Sequence, residues 1–480
     1  MTPIPSPWLA LEEVLRVTGG RLLTAPAARV AEFSGCSIDS RTAAPGDLFV
    51  PLPGSRTDGH DFVAAALAGP AGGSLVLATR AVDPAWLQAG KPVLAVDDPL
   101  RALQTLGRHC RDRAGIPVVA VTGSNGKTTT KEMIAAVLGT SRRVHRNEGN
   151  LNNHIGVPLT LCRLRSEHEV AVLELAMSAR GEIRALASIC RPQVGVLTIA
   201  AAAHLATLRS VDEVALAKSE LAEALPADGL LVLNADDARL WALNRDRPVP
   251  KRSYALENEG ADLRPVTTAL TARGGSRFTL PDGTEVGLRL LGRHNVRNAL
   301  AAILVGDHFG VARGAAADAL AALKPAKHRL ELIQAGGISV LDDCYNANPA
   351  SMREALSLLA AIETAGARRA VLGDMLELGS GAGALHEETG RLVPPSAWVY
   401  AAGEFSGALA RGARSAGVPE SRIRRFDAVP AMAAAVKADT RAGDLVLVKA
   451  SRGMRLEQVV EALAPGATVQ VEPLSAAERS

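Results

Sequence analysis

Hydrophobic positions in this chain fall into short, unbroken aliphatic runs separated by longer stretches with helical spacing. Unbroken runs such as Val118-Val-Ala-Val121 predict strands covered on both faces, the pattern of a parallel sheet with helices packed over it. The same pattern predicts strands at Val170–Leu175, Val194–Ile199 and Leu230–Leu233. Lys127 to Leu138 carries Met133, Ile134, Val137 and Leu138 at helical spacing, and helices are also expected over Val211–Leu225 and Asn295–Phe309. An antiparallel meander is expected near Phe278–Leu290, turned by Asp282-Gly283.

Two further blocks flank this region. Residues 1–115 alternate short strands (Asp47–Val50, Leu75–Leu77, Val93–Val96) with alanine-rich stretches, and a helix from Pro99 to Arg113 ends at Gly115-Ile116-Pro117. Residues 326–480 restart the strand–helix alternation at Ile338–Asp342, Ala370–Leu372, Trp398–Ala401 and Leu445–Val448. That last block reads as Rossmann-like, although it lacks a Gly-x-Gly-x-x-Gly turn. The chain is therefore expected to be α/β, with a central sheet domain over 116–325 between two smaller ones.

Composition narrows the picture. At 480 residues the chain exceeds one ordinary core. It is 48% hydrophobic and 21% charged, which suits a globular protein, and only 3% aromatic, which leaves aliphatic side chains to fill the cores. A net charge of +3 without a Lys/Arg run argues against a nucleic-acid partner. Cys36, Cys110, Cys162, Cys190 and Cys344 are odd in number and contain no CxxC pair, so they read as reduced thiols. Glu12 and Glu13 fall where a signal peptide is apolar, and Pro192–Leu208 is too short and polar to span a membrane. A cytoplasmic protein is expected.

The strongest chemical signal is Val118-Val-Ala-Val-Thr-Gly-Ser-Asn-Gly-Lys-Thr-Thr-Thr130. An aliphatic strand delivers Gly123 and Gly126, and Lys127, Thr128 and Thr129 open a helix. Glycines let backbone N–H groups turn around an anion, and the helix N-terminus adds partial positive charge. Gly123, Ser124, Asn125, Gly126, Lys127, Thr128 and Thr129 are thus the expected ATP-phosphate loop, with Lys127 on the β/γ-phosphates and the Thr128 hydroxyl on Mg²⁺. The loop is short: Val121 stands where the longer Walker form has glycine.

This short loop resembles that of the Mur ligase family of cell-wall synthesis. Further segments match in order: Asp39-Ser40-Arg41, Gly46-Asp47-Leu48, Asp58-Gly59-His60, Asn150 to Asn153, Gly156-Val-Pro158 and Glu174. Asn234 to Asp237, Gly292 to Asn295, His328 to Glu331, Asp343 to Met352, Gly373 to Gly379 and Lys449 to Met454 follow. The Tyr345-Asn-Ala-Asn-Pro349 form is similar to the branch that adds D-alanyl-D-alanine to UDP-N-acetylmuramoyl-tripeptide. The resemblance implies ATP-driven amide formation through an acyl phosphate. A sister ligase, a folylpolyglutamate synthase and a non-catalytic nucleotide-dependent module are the other readings.

The residue roles come from the same resemblance. Glu174 ends an aliphatic strand, where a carboxylate suits Mg²⁺. His204 is implied as a ligand of a second Mg²⁺, although a lone histidine among alanines is usually structural. Its surroundings depart from the family, with Ile199, Ala202 and Ala206 where Asn, Pro and Glu are expected. Lys218, on a helix where lysine normally faces solvent, is implied to be carbamylated by CO₂, which requires a neutral amine. His294, Asn295, Arg329 and Asp343 are implied ATP contacts, the last two alternatively pairing with one another. Ser40 and Arg41 are implied contacts of the uridine diphosphate, or else an Asp-Ser turn with an exposed arginine. Asn346, Asn348, Ser351 and Arg452 are implied to line the dipeptide cleft. A monomer without a membrane span is expected.

Overall fold

The computed structural model describes residues 9–24, 32–54 and 57–466. The expected first and last blocks, 1–115 and 326–480, and the reading of the N-terminus extend in part beyond these described residues.

Residues 118–254 build a six-stranded parallel sheet from β1 (Val118–Thr122), β2 (Val144–Arg146), β3 (Val170–Glu174), β4 (Val194–Leu197), β5 (Leu230–Asn234) and β6 (Lys251–Tyr254). Its order is β6-β5-β4-β1-β3-β2. Every residue of β1, β3, β4 and β5 is buried, as unbroken aliphatic runs demand. Helices cover both faces: α1 (Lys127–Gly139), α2 (Val211–Glu223) and α3 (His294–His308). α1 buries Met133, Ile134, Val137 and Leu138 completely, against Val296, Leu300 and Ile303 of α3. Each such side chain contributes roughly 1.5–3 kcal/mol by burial.

The expected meander forms as an antiparallel sheet of Thr267–Leu270, Ser276–Thr279 and Glu285–Leu288, turned at Asp282-Gly283. N-terminal to the central sheet in sequence, Gly35–Ser37, Asp47–Phe49, Gly73–Leu77 and Val93–Val96 run parallel, and Arg21–Leu22 pairs antiparallel at the edge. The helix Pro99–Ala114 links this sheet to β1 and caps itself through Asp98, which accepts from the Leu100 and Arg101 amides.

Beyond residue 330 a second six-stranded sheet forms from β7 (Glu331–Ala335), β8 (Ile338–Asp342), β9 (Arg368–Leu372), β10 (Trp398–Ala402), β11 (Ile423–Phe426) and β12 (Leu445–Lys449). Its order is β7-β8-β12-β9-β10-β11, with only β7 antiparallel. Helix α4 (Pro349–Ala361) follows β8. Among the described residues no helix is long and apolar enough to cross a membrane, and all five cysteines are buried and free.

Candidate active site

Three strand ends of the central sheet converge on one place. β1 leads into Gly123; Glu174 ends β3 in register with Val121, and Leu197 ends β4 opposite Thr122. β3 and β4 flank β1 on opposite sides, so the strand order reverses there, and such reversals open a crevice at the carboxyl ends of the strands.

The loop after β1 is shaped by its glycines. A Cβ on Gly123 would lie 1.8 Å from Thr198 Oγ1, so no other residue fits beneath the loop. Gly126 has φ +80°, the left-handed region, and a Cβ there would meet Asn298 Oδ1 at 2.7 Å. No side chain caps α1, which leaves its first-turn N–H groups for an anion. The first turn carries Thr128, Thr129 and Thr130, β-branched residues of modest helix propensity, so the buried face of α1 holds this helix start in place.

Lys127 Nζ donates to Gly123 O (2.7 Å) and more weakly to Ser124 O (3.4 Å). Thr128 Oγ1 donates to Glu174 Oε2 at 2.7 Å, and Asn152 Nδ2 holds Oε1 at 2.9 Å. Asn147 brackets the backbone of Glu174, donating to its carbonyl and accepting from its N–H, each at 2.9 Å. Ser124 is tied to the loop after β4: its N–H donates to Ile199 O at 2.6 Å, and its Oγ accepts from the Ala201 amide at 3.0 Å.

The opposite wall comes from the domain of the second six-stranded sheet, beyond residue 326. Asn125 and Asn348 exchange amide hydrogen bonds of 3.0 and 2.7 Å, joining the glycine loop to the start of α4. Asn348 also caps α4 in a reciprocal box with Ser351, so both residues are engaged in positioning that helix. Glu354 of α4 lies 3.1 Å from Arg297 and 3.5 Å from His294. The guanidinium of Arg329 stacks over the Tyr345 ring at 4.0 Å, and that of Arg452 lies 5.2 Å from the same ring. The alternative Arg329–Asp343 pairing is not what forms. Asp343 Oδ2 accepts from Lys449 Nζ at 2.5 Å, and its Oδ1 accepts from the Leu330 amide at 3.1 Å.

The cleft between these walls encloses about 340 Å³. Of the expected residues, Ser124, Asn125, Gly126, Lys127, Thr128, Thr129, Glu174, His204, His294, Asn295, Arg329, Asp343, Asn346, Asn348 and Ser351 line it. Asn295 is held internally, donating to Leu291 O at 2.7 Å and accepting from Asn298 at 2.9 Å. Arg452 reaches Tyr345 but not the cleft surface. Ser40 and Arg41 lie between the strands Gly35–Ser37 and Asp47–Phe49, where exposed Arg41 pairs with Asp39 at 2.7 Å. Asn147, Asn152, Thr198, Tyr345, Glu354 and Lys449 are site-building residues that the sequence reading assigned no role, although several lie inside segments it singled out.

The expected metal set is only partly assembled by the protein itself. Thr128 and Glu174 are in contact and supply hard oxygen donors, a set that fits Mg²⁺. His204 Nδ1 instead bonds Glu377 Oε2 at 2.6 Å. Lys218 is 2% exposed on α2, and its ammonium forms no hydrogen bond or ion pair among the described residues. A separate trio, His328, Asp342 and Cys344, is satisfied by its own hydrogen bonds: Asp342 accepts from His328 at 2.6 Å and from Cys344 at 2.9 Å.

Burial governs the titrations here. It lowers the Lys127 pKa against the raising effect of Glu174, and it drives that of Lys218 well down, with Lys127 adding repulsion. A lysine pushed toward its neutral form has the free amine that attack on CO₂ requires. Burial likewise raises Asp343, opposed by Lys449.

An uncapped helix behind a glycine loop, at a strand-order reversal and facing a second α/β domain, defines a nucleotide-phosphate-binding protein of three α/β domains. The chain belongs to the Mur ligase family. The Mur ligase middle domain matches residues 121–306, the glutamate ligase domain of Mur ligases 328–452, and the Mur ligase family catalytic domain 32–111. The chain is 39% identical to UDP-N-acetylmuramoyl-tripeptide–D-alanyl-D-alanine ligase of Bacillus subtilis strain 168, covering 89% of this chain and 93% of that protein. It is 38% identical to the Escherichia coli K12 protein of the same name, covering 90% and 94%. The crystal structure of MurF from Acinetobacter baumannii superimposes with a TM-score of 0.83 at 30% identity, covering 96% of this chain and 99% of that one. MurF ligase from Thermotoga maritima, solved with ADP, gives 0.77 at 27% identity, covering 89% and 96%.

Proposed function

We propose that this chain joins D-alanyl-D-alanine to the terminal carboxylate of UDP-N-acetylmuramoyl-tripeptide at the expense of ATP. The observation that carries this reading is the seating of Tyr345-Asn-Ala-Asn-Pro349 on the phosphate loop through Asn125 and Asn348. This contact supports the reading because the segment typical of this branch meets the glycine loop, and the similar proteins bearing this name match about nine-tenths of the chain. Residues 1–115 take the nucleotide-sugar peptide, 116–325 take ATP, and 326–480 take the dipeptide. Ser40 and Arg41 serve the uridine diphosphate. Asn346, Asn348, Ser351 and Arg452 shape the dipeptide side. The enzyme acts as a monomer, and in the cytoplasm, a compartment consistent with its buried, free thiols.

A carboxylate cannot be attacked by an amine until one of its oxygens can leave. In the first step that oxygen attacks the γ-phosphorus of ATP, the bond to the bridging oxygen breaks, and ADP departs. In the second, the dipeptide amine attacks the acyl carbon, phosphate leaves, and the amine gives up a proton. The loop N–H groups and Lys127 hold the phosphates and offset their charge through both steps. Mg²⁺, which the Thr128 hydroxyl and Glu174 carboxylate are suited to hold, supplies further charge neutralisation on the phosphates. His204 and a carbamylated Lys218 are suited to a second ion. His294, Asn295, Arg329 and Asp343 face the nucleoside side of the cleft.

Phosphate release against a panel of amine acceptors, with diaminopimelate- and lysine-containing tripeptides, tests the assignment. Turnover is expected with D-alanyl-D-alanine; activity with a free amino acid and none with the dipeptide would end the assignment. A second result is expected from the buried amine of Lys218. In CO₂-depleted buffer, turnover falls several-fold and returns when bicarbonate is added at constant pH. Equal rates with and without bicarbonate after prolonged depletion contradict the carbamate.

A further inference from the structure

His204 lies on a loop that contains no carboxylate: residues 199–210 read Ile-Ala-Ala-Ala-Ala-His-Leu-Ala-Thr-Leu-Arg-Ser, with neither Asp nor Glu among them. The carboxylate that reaches it comes from the third domain, where Glu377 Oε2 accepts from His204 Nδ1 at 2.6 Å. A backbone contact runs beside it, from the Ala206 amide to Glu377 O at 3.1 Å. Both residues hold left-handed backbone conformations, φ +57° at His204 and +64° at Glu377, which are uncommon outside glycine. Such outliers persist where the surroundings over-determine them, and they cluster at working sites.

We propose that Glu377 is a positioning residue for His204, fixing its imidazole from the third domain in the Nδ1-protonated tautomer. The Nε2 lone pair is then left for the cleft that His204 lines, and Nε2 has no hydrogen-bond partner among the described residues. A ring nitrogen that must act as an acceptor or ligand is commonly prepared this way, by a carboxylate on the other nitrogen. The alternative role, an ion pair that holds two domains together, is poorly served by this geometry. Glu377 is 63% exposed, and exposed pairs add little stability. The backbone contact and the Asn125–Asn348 pair already join the domains. Because the carboxylate and the imidazole belong to different domains, the histidine is set only when the third domain is seated on the glycine loop. The inference deepens the ligase reading and rests on it for its kinetic arm alone.

The test uses the full chain labelled with ¹⁵N-histidine, the His204 signals being identified by their loss in His204→Gln. The wild type is expected to show His204 as the Nδ1-protonated tautomer, and Glu377→Ala to lose that signature. In steady state, Glu377→Ala lowers kcat about 10–100-fold, the usual cost of removing such a partner, with KM for the tripeptide unchanged. Glu377→Gln keeps an oxygen that can accept from Nδ1 and recovers part of the loss. An unchanged His204 signature in Glu377→Ala, or an unchanged kcat, overturns the proposal. A wild-type enzyme that fails to ligate overturns the ligase reading instead, while the nitrogen signature still tests the pair.

Discussion

Lys127→Ala leaves the chain folded and lowers kcat for ligation about 10³-fold, the scale of losing a charged group that stabilises a transferring phosphoryl group. Lys127 is the first residue of α1, and its Nζ rests on the carbonyls of Gly123 and Ser124, within the turn that the phosphates would fill. Those two carbonyls are weak competitors for a cation when an anion arrives, so the ammonium can swing from the loop to the phosphates at little cost. Burial destabilises its charge, and Glu174 only partly offsets this. A phosphate therefore finds a cation with little competing solvation. A purely structural role predicts a different result: loosening of the loop, weaker ADP binding and a lower melting temperature, with kcat following in proportion. The phosphoryl role predicts a kcat loss well beyond the loss of ADP affinity, because backbone N–H groups still hold the other phosphates. Titration with ADP and phosphate-release kinetics on the same preparation separate the two. A kcat within tenfold of wild type removes Lys127 from the chemistry.

How much of this could be read from the residues follows from the distance over which each feature is encoded. The glycine loop and α1 are local: two glycines, a lysine and an apolar stripe at helical spacing specify them within twenty or so positions, and both form where expected. Edge strands were harder. Val144–Arg146, Lys251–Tyr254 and Thr267–Leu270 carry charged or exposed positions, so hydrophobic pattern alone does not mark them, and their pairing partners define them. Contacts between domains leave no local trace at all. Asn125 meets Asn348 and His204 meets Glu377 only because loops of the central and third domains meet at the cleft. Asp343 illustrates the same limit. Arg329, an implied ATP contact like Asp343, is the alternative partner expected for it, yet β8 and β12 run parallel with Asp342 opposite Val448. One residue further on, Asp343 follows β8 and Lys449 ends β12, so strand register, which pairs residues far apart in sequence, supplies the partner.

That register leads to the largest expected stability effect. Lys449→Met destabilises the third domain by about 3–5 kcal/mol, the usual cost of removing one partner of a buried ion pair. Lys449 is 1% exposed, and Asp343 is buried beside it. The ammonium donates to Asp343 Oδ2 and to Asn346 O at 3.0 Å, so its loss leaves a carboxylate without its hydrogen-bonded counter-charge and removes a donor from that carbonyl. Burial already raises the Asp343 pKa, and Lys449 is the first group opposing that rise. In the single variant the carboxyl group takes up a proton to escape the cost, and stability falls further as pH rises. The sign follows from the folded state binding a proton that the unfolded chain releases. Asp343→Asn in the Lys449→Met background removes the uncompensated charge and keeps an oxygen for the Leu330 amide. The double variant is therefore expected to be more stable than Lys449→Met alone, a coupling read from the double-mutant cycle. Thermal unfolding of the four proteins at two pH values gives both answers. If Lys449→Met melts with the wild type, the buried Asp343–Lys449 pair contributes nothing to the stability of the third domain.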